Sequence, residues 1–357
     1  MANHRFALAA VWLACLLVCA VAIAQTPEFP PASAYLHPQS MVPVAPGHRL
    51  NLYCTGKGAP TVLFESGLGD GTLVWRALQG KIAATTRVCS YDRANYFYSD
   101  TVERAATAQA SVDDLLALID RAHLGDRIIL VGHSRGGLNA RLFTYEHTDR
   151  VAGMVLIDPT ITEQLAPATT RNYVHKYENY LKAGEQLRDC QQMAMQQQLR
   201  IDRADPLRCL DTFDDHQAPD EKALADATRS METRPIFQGT LFSEREHLFY
   251  PIDDHGDSTD GRSISSTEHS LGDLPLVVIG ANWFKSSTFK GKPTAEQEQF
   301  LAWHVDQMQR IARESTRGQF VEVGSKHYVQ RERPDVVMAA ILRVLELARA
   351  SQSQKEP

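Results

Sequence analysis

A continuous apolar stretch that ends directly in a glycine-rich hexapeptide constrains this chain more than any other feature. Residues 126–131 read DRIILV, residues 132–137 read GHSRGG, and residues 138–147 have helical periodicity. An unbroken apolar run is typical of a strand buried on both faces of a parallel sheet. The glycines that flank Ser134 allow a tight turn, which would raise its hydroxyl above the strand ends. The segment therefore predicts a strand, a sharp turn and a helix.

The alternation of strands and helices recurs on both sides of this motif. Further strand-like segments lie at residues 48–54, 60–65, 86–91, 151–157, 274–280 and 319–323. Such alternation predicts the α/β class, with a parallel sheet covered by helices on both faces. Residues 160–272 interrupt this strand–helix alternation. They are polar, glutamine-rich and mostly helix-like, and we interpret them as an insertion.

The first two dozen residues have the three parts of a secretory signal peptide. A basic start at Arg5 precedes the apolar residues 6–24, which end Ala-Ile-Ala before Gln25. We expect residues 1–24 to be removed on export, which implies a secreted or periplasmic location. No later segment has the length of a membrane span, so no stable span should remain after cleavage. An uncleaved membrane anchor is the alternative, because the leader is nearly long enough to cross a bilayer.

Charge and cysteine content narrow the possible partners. The formal net charge is -6 with both signs mixed along the chain, and the absence of a basic block argues against nucleic acid. Six cysteines are present, of which Cys15 and Cys19 lie in the leader. An even set of four in an exported protein indicates disulfides, and the lack of a C-x-x-C pair argues against a zinc site.

The motif at residues 132–136 (GHSRG), with a buried strand before it and a helix after it, resembles the nucleophile elbow of the α/β-hydrolase superfamily, especially its serine esterases and lipases. The resemblance implies an α/β-hydrolase core at residues 47–159 and 273–350, with a mostly parallel central sheet and helices on both faces. Residues 160–272 would form a helical cap or lid, and residues 25–46 an extended N-terminal segment. No metal or organic cofactor is implied.

In this family the elbow serine, here Ser134, is the nucleophile, and an acid and then a histidine follow in chain order. A serine hydroxyl needs a base with a pKa near neutrality. His327 is the best candidate, because it lies in a GSKH loop between a strand and a proline-opened helix. His304 falls in a predicted helix, where packing is the favoured interpretation.

The acid of the triad is harder to assign from the sequence, because Asn282 occupies the position at which the family usually carries it. Some family members carry the acid one strand earlier, where this chain has Asp158 after an apolar strand. Asp158 is therefore the predicted acid. The remaining alternatives are Asp253, Asp254, Asp257 and Asp273.

The resemblance also implies an oxyanion hole made from two backbone N–H groups. Arg135 follows the nucleophile and supplies one, and Leu68 in the loop after residues 60–65 supplies the other. Ser66 replaces the family's usual histidine in that loop. The G-x-G-x-G pattern at residues 67–71 lacks the features of a nucleotide-binding loop. The possible pocket walls are Trp75, Tyr96, Trp283 and His304.

The fold implied by the resemblance makes the strands that carry Cys54 and Cys89 neighbours, so a bridge between them is expected. A second bridge, Cys190–Cys209, would pin the inserted segment.

The sequence thus predicts an exported serine hydrolase that cleaves carboxylic esters of small molecules through Ser134, His327 and Asp158. An aminopeptidase or amidase, a lactonase or a C–C bond hydrolase on the same machinery are alternatives. Epoxide hydrolases and haloalkane dehalogenases of this fold need an aspartate nucleophile, so Ser134 argues against both. A non-catalytic binding protein on the same scaffold is the alternative from another class. A membrane-tethered form of the hydrolase is the third alternative.

Overall fold

Strands and helices alternate in the computed structural model, which describes residues 30–161, 171–210, 219–250 and 258–353. The strands are β1 (Ser40–Ala45), β2 (His48–Thr55), β3 (Val62–Glu65), β4 (Val88–Tyr91), β5 (Ile128–His133), β6 (Val151–Ile157), β7 (Leu276–Ala281) and β8 (Gly318–Val323). The helices are α1 (Arg76–Ile82), α2 (Ala108–Arg121), α3 (Arg135–Glu146), α4 (Arg171–Met195), α5 (Pro219–Glu232), α6 (Pro235–Phe249), α7 (Thr259–Thr267), α8 (Ala295–Ala312), α9 (Val329–Glu332) and α10 (Pro334–Ser353).

These strands form one sheet in the order β1-β2-β4-β3-β5-β6-β7-β8. Strand β2 runs antiparallel to β1 and β4, and all other neighbouring pairs are parallel. The parallel α/β sheet predicted from the strand–helix alternation is confirmed. Because β3, β5, β6 and β7 are parallel, their carboxyl ends meet at one edge, where ligands bind in open α/β sheets.

Each face of the sheet is covered by its own apolar layer, which explains the continuous apolar runs. Leu130 of β5 packs in one layer with residues of α2, α3 and α8. Its neighbours Ile129 and Val131 pack in the other layer with residues of α1 and α10. Successive side chains of a strand point to opposite faces, so a strand covered on both faces needs an apolar residue at every position.

Residues 25–46 were predicted to form an extended N-terminal segment, and the described part of this segment is more regular. Residues 1–24 and 25–29 lie outside the described residues. Within the described part, Ala32–Tyr35 form a 3-10 turn and β1 joins the edge of the sheet. The tight β1–β2 hairpin turns through Gly47, whose φ of 70° favours glycine. A proline within β1 masked the strand pattern, and an edge strand tolerates it.

Helices α4, α5, α6 and α7 lie in the chain between β6 and β7, where the sequence predicts an insertion. Helix α4 packs on α6, α6 packs on α7, and α7 contacts the core helices α2 and α3. Among the helices of the described residues, none combines the length and apolarity that crossing a bilayer requires.

Both expected disulfides are present. Cys54 and Cys89 are direct partners in the antiparallel β2–β4 pair, and the bridge joins them. Cys190 in α4 is bonded to Cys209, so the second bridge closes the end of α4 onto the segment that follows it.

The core bridge should contribute measurably to stability. Changing Cys54→Ala together with Cys89→Ala opens a loop that spans 35 residues. We expect the free energy of unfolding, measured by urea titration, to fall by about 2–4 kcal/mol. Cys190→Ala with Cys209→Ala is the matched comparison for the inserted helices. Alkylation of all four cysteines in unreduced, unfolded protein would contradict the assignment.

Candidate active site

The chain turns sharply at Ser134, between β5 and α3. Ser134 has φ 53° and ψ -122°, a conformation that costs energy for a residue with a side chain. The flanking glycines make the turn possible, because a Cβ on Gly132 would collide with the carbonyl of Gly136. A Cβ on Gly136 would collide with the carbonyl oxygens of Glu65 and Ser66. The turn therefore has the form that the GHSRG motif predicts.

Hydrogen bonds tie this turn to the end of β6. The Ser134 N–H donates to the carbonyl of Ile157 at 3.1 Å, and the Ser134 carbonyl accepts from Thr160 at 2.9 Å. Asp158, between these two partners, has φ 42° and donates its own N–H to Ile279 of β7 at 2.7 Å. The neighbouring strands thus bring the predicted acid beside the predicted nucleophile.

The buried carboxylate of Asp158 accepts three hydrogen bonds. Oδ2 is 2.6 Å from His327 Nδ1. Oδ1 is 3.0 Å from the Ala281 amide nitrogen and 3.0 Å from His304 Nε2. Burial alone would raise the pKa of Asp158, but the hydrogen bonds from His304 and His327 hold it well below its usual range. Asp158 is therefore a carboxylate at neutral pH.

His327 follows β8 and is partly open to solvent. Burial disfavours its charged form, yet the hydrogen bond and charge of Asp158 raise the pKa of His327 above its ordinary value. Because Nδ1 faces the carboxylate, Nε2 is the nitrogen that remains to accept a proton in the neutral ring.

The loop that carries His327 is tied to the elbow through His133. His133 Nε2 lies 3.0 Å from the His327 carbonyl, and the two ring centroids are 4.7 Å apart. Burial, reinforced by the charge of His327, lowers the pKa of His133 well below its ordinary value. A neutral His133 therefore donates to the loop and fixes the backbone of His327 next to Ser134.

His304 makes a hydrogen bond that its sequence position did not suggest. Packing was the favoured interpretation of a histidine in α8, and the ring is indeed buried. Its Nε2 nevertheless faces Asp158, and its ring centroid lies 5.5 Å from that of half-buried Trp283. His304 therefore contacts the predicted acid directly.

Two of the suggested pocket residues, Trp75 and Tyr96, are fully buried. Trp75 stacks on Phe64 with ring centroids 4.4 Å apart, and its Nε1 donates to Ser66 Oγ at 2.8 Å. Ser66 Oγ in turn donates to the Gly71 carbonyl at 3.1 Å. Ser66 thus braces the loop from within. Tyr96 is buried as well, and its hydroxyl donates to a carboxylate of α6.

Of the alternative acids, Asp273 alone lies among the described residues. Asp273 is exposed and precedes β7, at the opposite end of that strand from the site. Asp253, Asp254 and Asp257 lie outside the described residues. Asn282, in the family's usual acid position, donates to Glu322 at 2.9 Å and caps the short turn that follows β7.

The two predicted oxyanion donors lie on neighbouring segments. Leu68 is in the loop after β3, and Arg135 is the first residue of α3, where amide N–H groups lack partners within the helix. Arg93 braces the Leu68 loop by donating to the carbonyls of Ser66 at 2.6 Å and Gly67 at 2.8 Å.

The sequence did not indicate two buried carboxylates from the inserted helices. Glu244 of α6 pairs with Arg93 and Arg135, and Asp260 of α7 pairs with Arg135. The Arg93–Glu244 pair spans 151 residues, so no local spacing could reveal it. From sequence alone, a carboxylate in a polar helix is expected to face solvent. Only the tertiary structure shows that Glu244 and Asp260 are buried.

Comparison with known proteins agrees with this architecture. A family model described as alpha/beta hydrolase fold matches residues 60–233. Among curated sequences, the uncharacterized protein YqjL of Bacillus subtilis (strain 168) is 29% identical over 106 residues, which is 30% of this chain and 42% of YqjL. The match thus spans less than half of that relative.

Two solved structures resemble the whole described fold. An esterase from Thermogutta terrifontis has a TM-score of 0.53 and 22% identity, covering 86% of this chain and 97% of its own. The enol-lactonase from Burkholderia xenovorans LB400 has a TM-score of 0.53 and 18% identity, covering 85% and 99%. At these identities the likeness concerns the fold.

The charge of Asp158 should set the pKa of His327. In the Asp158→Asn variant we expect the pKa of His327, measured by NMR titration of the imidazole, to fall, because the anion that stabilises the imidazolium is gone. Asp70 acts on His327 by charge alone, so Asp70→Asn should lower it less. An unchanged pKa in Asp158→Asn would show that another group controls His327.

Proposed function

Because this chain has the α/β-hydrolase fold, we propose that it is a serine hydrolase of carboxylic esters. One observation carries the proposal. His327 Nδ1 lies 2.6 Å from the Asp158 carboxylate, and the loop of His327 is hydrogen-bonded to the residue before Ser134. A nucleophile on a tight turn, a base and an ionised carboxylate that orients the base are what acyl transfer requires.

The first half of the reaction transfers the acyl group to the protein. The Ser134 Oγ attacks the ester carbonyl carbon while His327 Nε2 takes the hydroxyl proton. The carbonyl oxygen becomes an oxyanion that accepts hydrogen bonds from the N–H groups of Leu68 and Arg135. When the tetrahedral intermediate collapses, the alcohol leaves with the proton from His327. Asp158 stabilises the imidazolium throughout this step.

The second half regenerates the serine. Water loses a proton to His327 Nε2 and attacks the carbonyl of the acyl-serine ester. The same N–H groups stabilise the new oxyanion. Collapse breaks the bond to Ser134 Oγ, which recovers its proton from His327 as the carboxylic acid departs. The cycle consumes one water per ester and needs no other reactant.

His304 would support this chemistry by fixing the acid. With Ala281 N–H and His304 Nε2 on Oδ1, the Oδ2 atom of Asp158 is left for His327. A carboxylate held on both oxygens cannot rotate away from the base, which keeps the imidazole in the required tautomer.

The inserted helices supply an apolar wall beside the predicted oxyanion loop. Phe237 and Leu241 of α6 belong to a buried cluster, and half-buried Leu68 and Leu187 of α4 both pack against it. We therefore propose that residues 160–272 act as a cap that favours apolar ester groups. This surface favours esters over charged peptides as substrates.

Export is part of the proposal. The leader pattern at residues 1–24 and the disulfides Cys54–Cys89 and Cys190–Cys209 support a secreted or periplasmic protein, because such bridges persist in oxidising compartments.

A fluorophosphonate probe and a panel of nitrophenyl esters of increasing acyl length test the function. We expect covalent labelling at Ser134 and ester hydrolysis that falls by about 10⁴-fold or more in Ser134→Ala. Ser265→Ala, at an exposed serine of α7, should leave both unchanged. Failure of the wild-type protein to label and to hydrolyse any ester would favour a binding protein on a hydrolase scaffold.

A further inference from the structure

A single buried carboxylate from the inserted helices joins the two segments that carry the predicted oxyanion donors. Glu244 Oε1 and Oε2 accept from Arg93 Nε at 3.0 Å and Nη2 at 3.1 Å. Glu244 Oε1 is also 3.4 Å from Arg135 Nε, and its Oε2 accepts from the Tyr96 hydroxyl at 2.8 Å. All four side chains are shielded from solvent.

On one side, this carboxylate holds the guanidinium that supports Leu68. Arg93 Nη2 donates to the Gly67 carbonyl, which belongs to the same peptide group as the Leu68 N–H. A planar trans peptide points its C=O and N–H in opposite directions. Fixing the carbonyl oxygen against Arg93 therefore aims the Leu68 N–H at the opposite side, and it polarises that N–H as a donor.

Helices α6 and α7 also hold Arg135, the residue that carries the second predicted oxyanion donor. The side chain of Arg135 runs back from the start of α3, and its Nη1 donates to the Glu244 carbonyl at 3.1 Å and to Asp260 at 2.7 Å. Its Nη2 donates to the Ala106 carbonyl at 2.8 Å. The residue whose amide would meet the oxyanion is thus anchored by α6 and α7.

We propose that Glu244 is a positioning residue for the oxyanion hole, and that seating of α6 on the core sets the relative placement of the Leu68 and Arg135 amides. The inference rests on the proposed function. The inserted helices then do more than cover the site, because displacement of α6 would withdraw the Glu244 carboxylate from both arginines at once, while Asp260 of α7 still holds Arg135. Substrate contact with the cap would be transmitted to the groups that stabilise the reaction's charge.

The charge of Glu244 is essential to this role. A guanidinium binds a carboxylate through two parallel hydrogen bonds, and two buried cations need an anion between them. Glutamine has nearly the same size but presents one acceptor and an NH₂ group that faces the arginines. Glu244→Gln therefore loosens both arginines while it preserves the packing of α6.

The Glu244→Gln substitution should weaken stabilisation of the transition state rather than substrate binding. In Glu244→Gln we expect kcat for a nitrophenyl ester to fall roughly ten- to hundredfold, below the loss of one whole donor, while KM changes less than about threefold. The pH–rate profile should keep its shape, because His327 and Asp158 are untouched. Glu246→Gln, at an exposed position of the same helix, is the matched control and should match the wild type.

A thionoester provides a readout that general loss of structure would not move. Sulfur accepts hydrogen bonds poorly, so the ratio of the rates for an ester and its thionoester measures how much the amide donors contribute. We expect this ratio to fall about as much as kcat falls in Glu244→Gln. If Glu244→Gln does not fold, Tyr96→Phe removes one 2.8 Å hydrogen bond to the carboxylate while keeping the ring, and the ratio should fall severalfold.

The outcomes separate this inference from the function on which it rests. If the wild-type protein labels at Ser134 and hydrolyses esters, but the ester-to-thionoester ratio is the same in the folded variant as in the wild type, the positioning role is wrong. If the wild-type protein has no activity at Ser134, the proposed function fails as well.

Discussion

Four segments of the fold meet at the carboxylate of Asp158. It lies at the end of β6 in a left-handed conformation, accepts from the backbone of β7, and accepts from histidines of α8 and the loop after β8. A buried anion without partners would take up a proton rather than stay charged. These donors keep it ionised, and its charge keeps the pKa of His327 raised. The proposed chemistry therefore depends on how β6, β7 and β8 are aligned.

A second set of buried charges supports the two segments that carry the predicted oxyanion donors Leu68 and Arg135. Glu65, Arg93, Arg135, Glu244 and Asp260 are all enclosed, and each has a partner of opposite charge. Removing one member of such a pair typically costs about 3–5 kcal/mol, because it strands the other in a medium of low polarity. The network also joins the core to helices α6 and α7. A fold that relied on apolar contacts alone would hold these helices without fixing their register.

Local features of the sequence were sufficient for much of the fold. The apolar run that ends in GHSRG predicted β5, the turn and α3, because each needs only neighbouring residues to be recognised. The C-terminal GSKH loop led to His327 because it resembles the histidine loop of the α/β-hydrolases. The Cys54–Cys89 pairing required the order of the strands, which the resemblance supplied.

Interactions between distant segments could not be read from the sequence. For His304, packing was favoured over a position in the pocket, because a helical pattern shows burial but not which polar atom faces a histidine. Glu244 had no visible role, since its partners lie about 110 and 150 residues earlier and in other elements. Both residues depend on tertiary placement, and both bear on the electrostatics of the site rather than on the path of the chain.

A crystal structure of the protein inactivated by a phosphonate ester tests the central claim most directly. The account predicts phosphorus bonded to Ser134 Oγ, with one phosphonyl oxygen within about 3 Å of both the Leu68 and Arg135 amide nitrogens. It also predicts that His327 remains hydrogen-bonded to Asp158. Attachment at another residue, or a phosphonyl oxygen directed away from these two amides, would contradict the account.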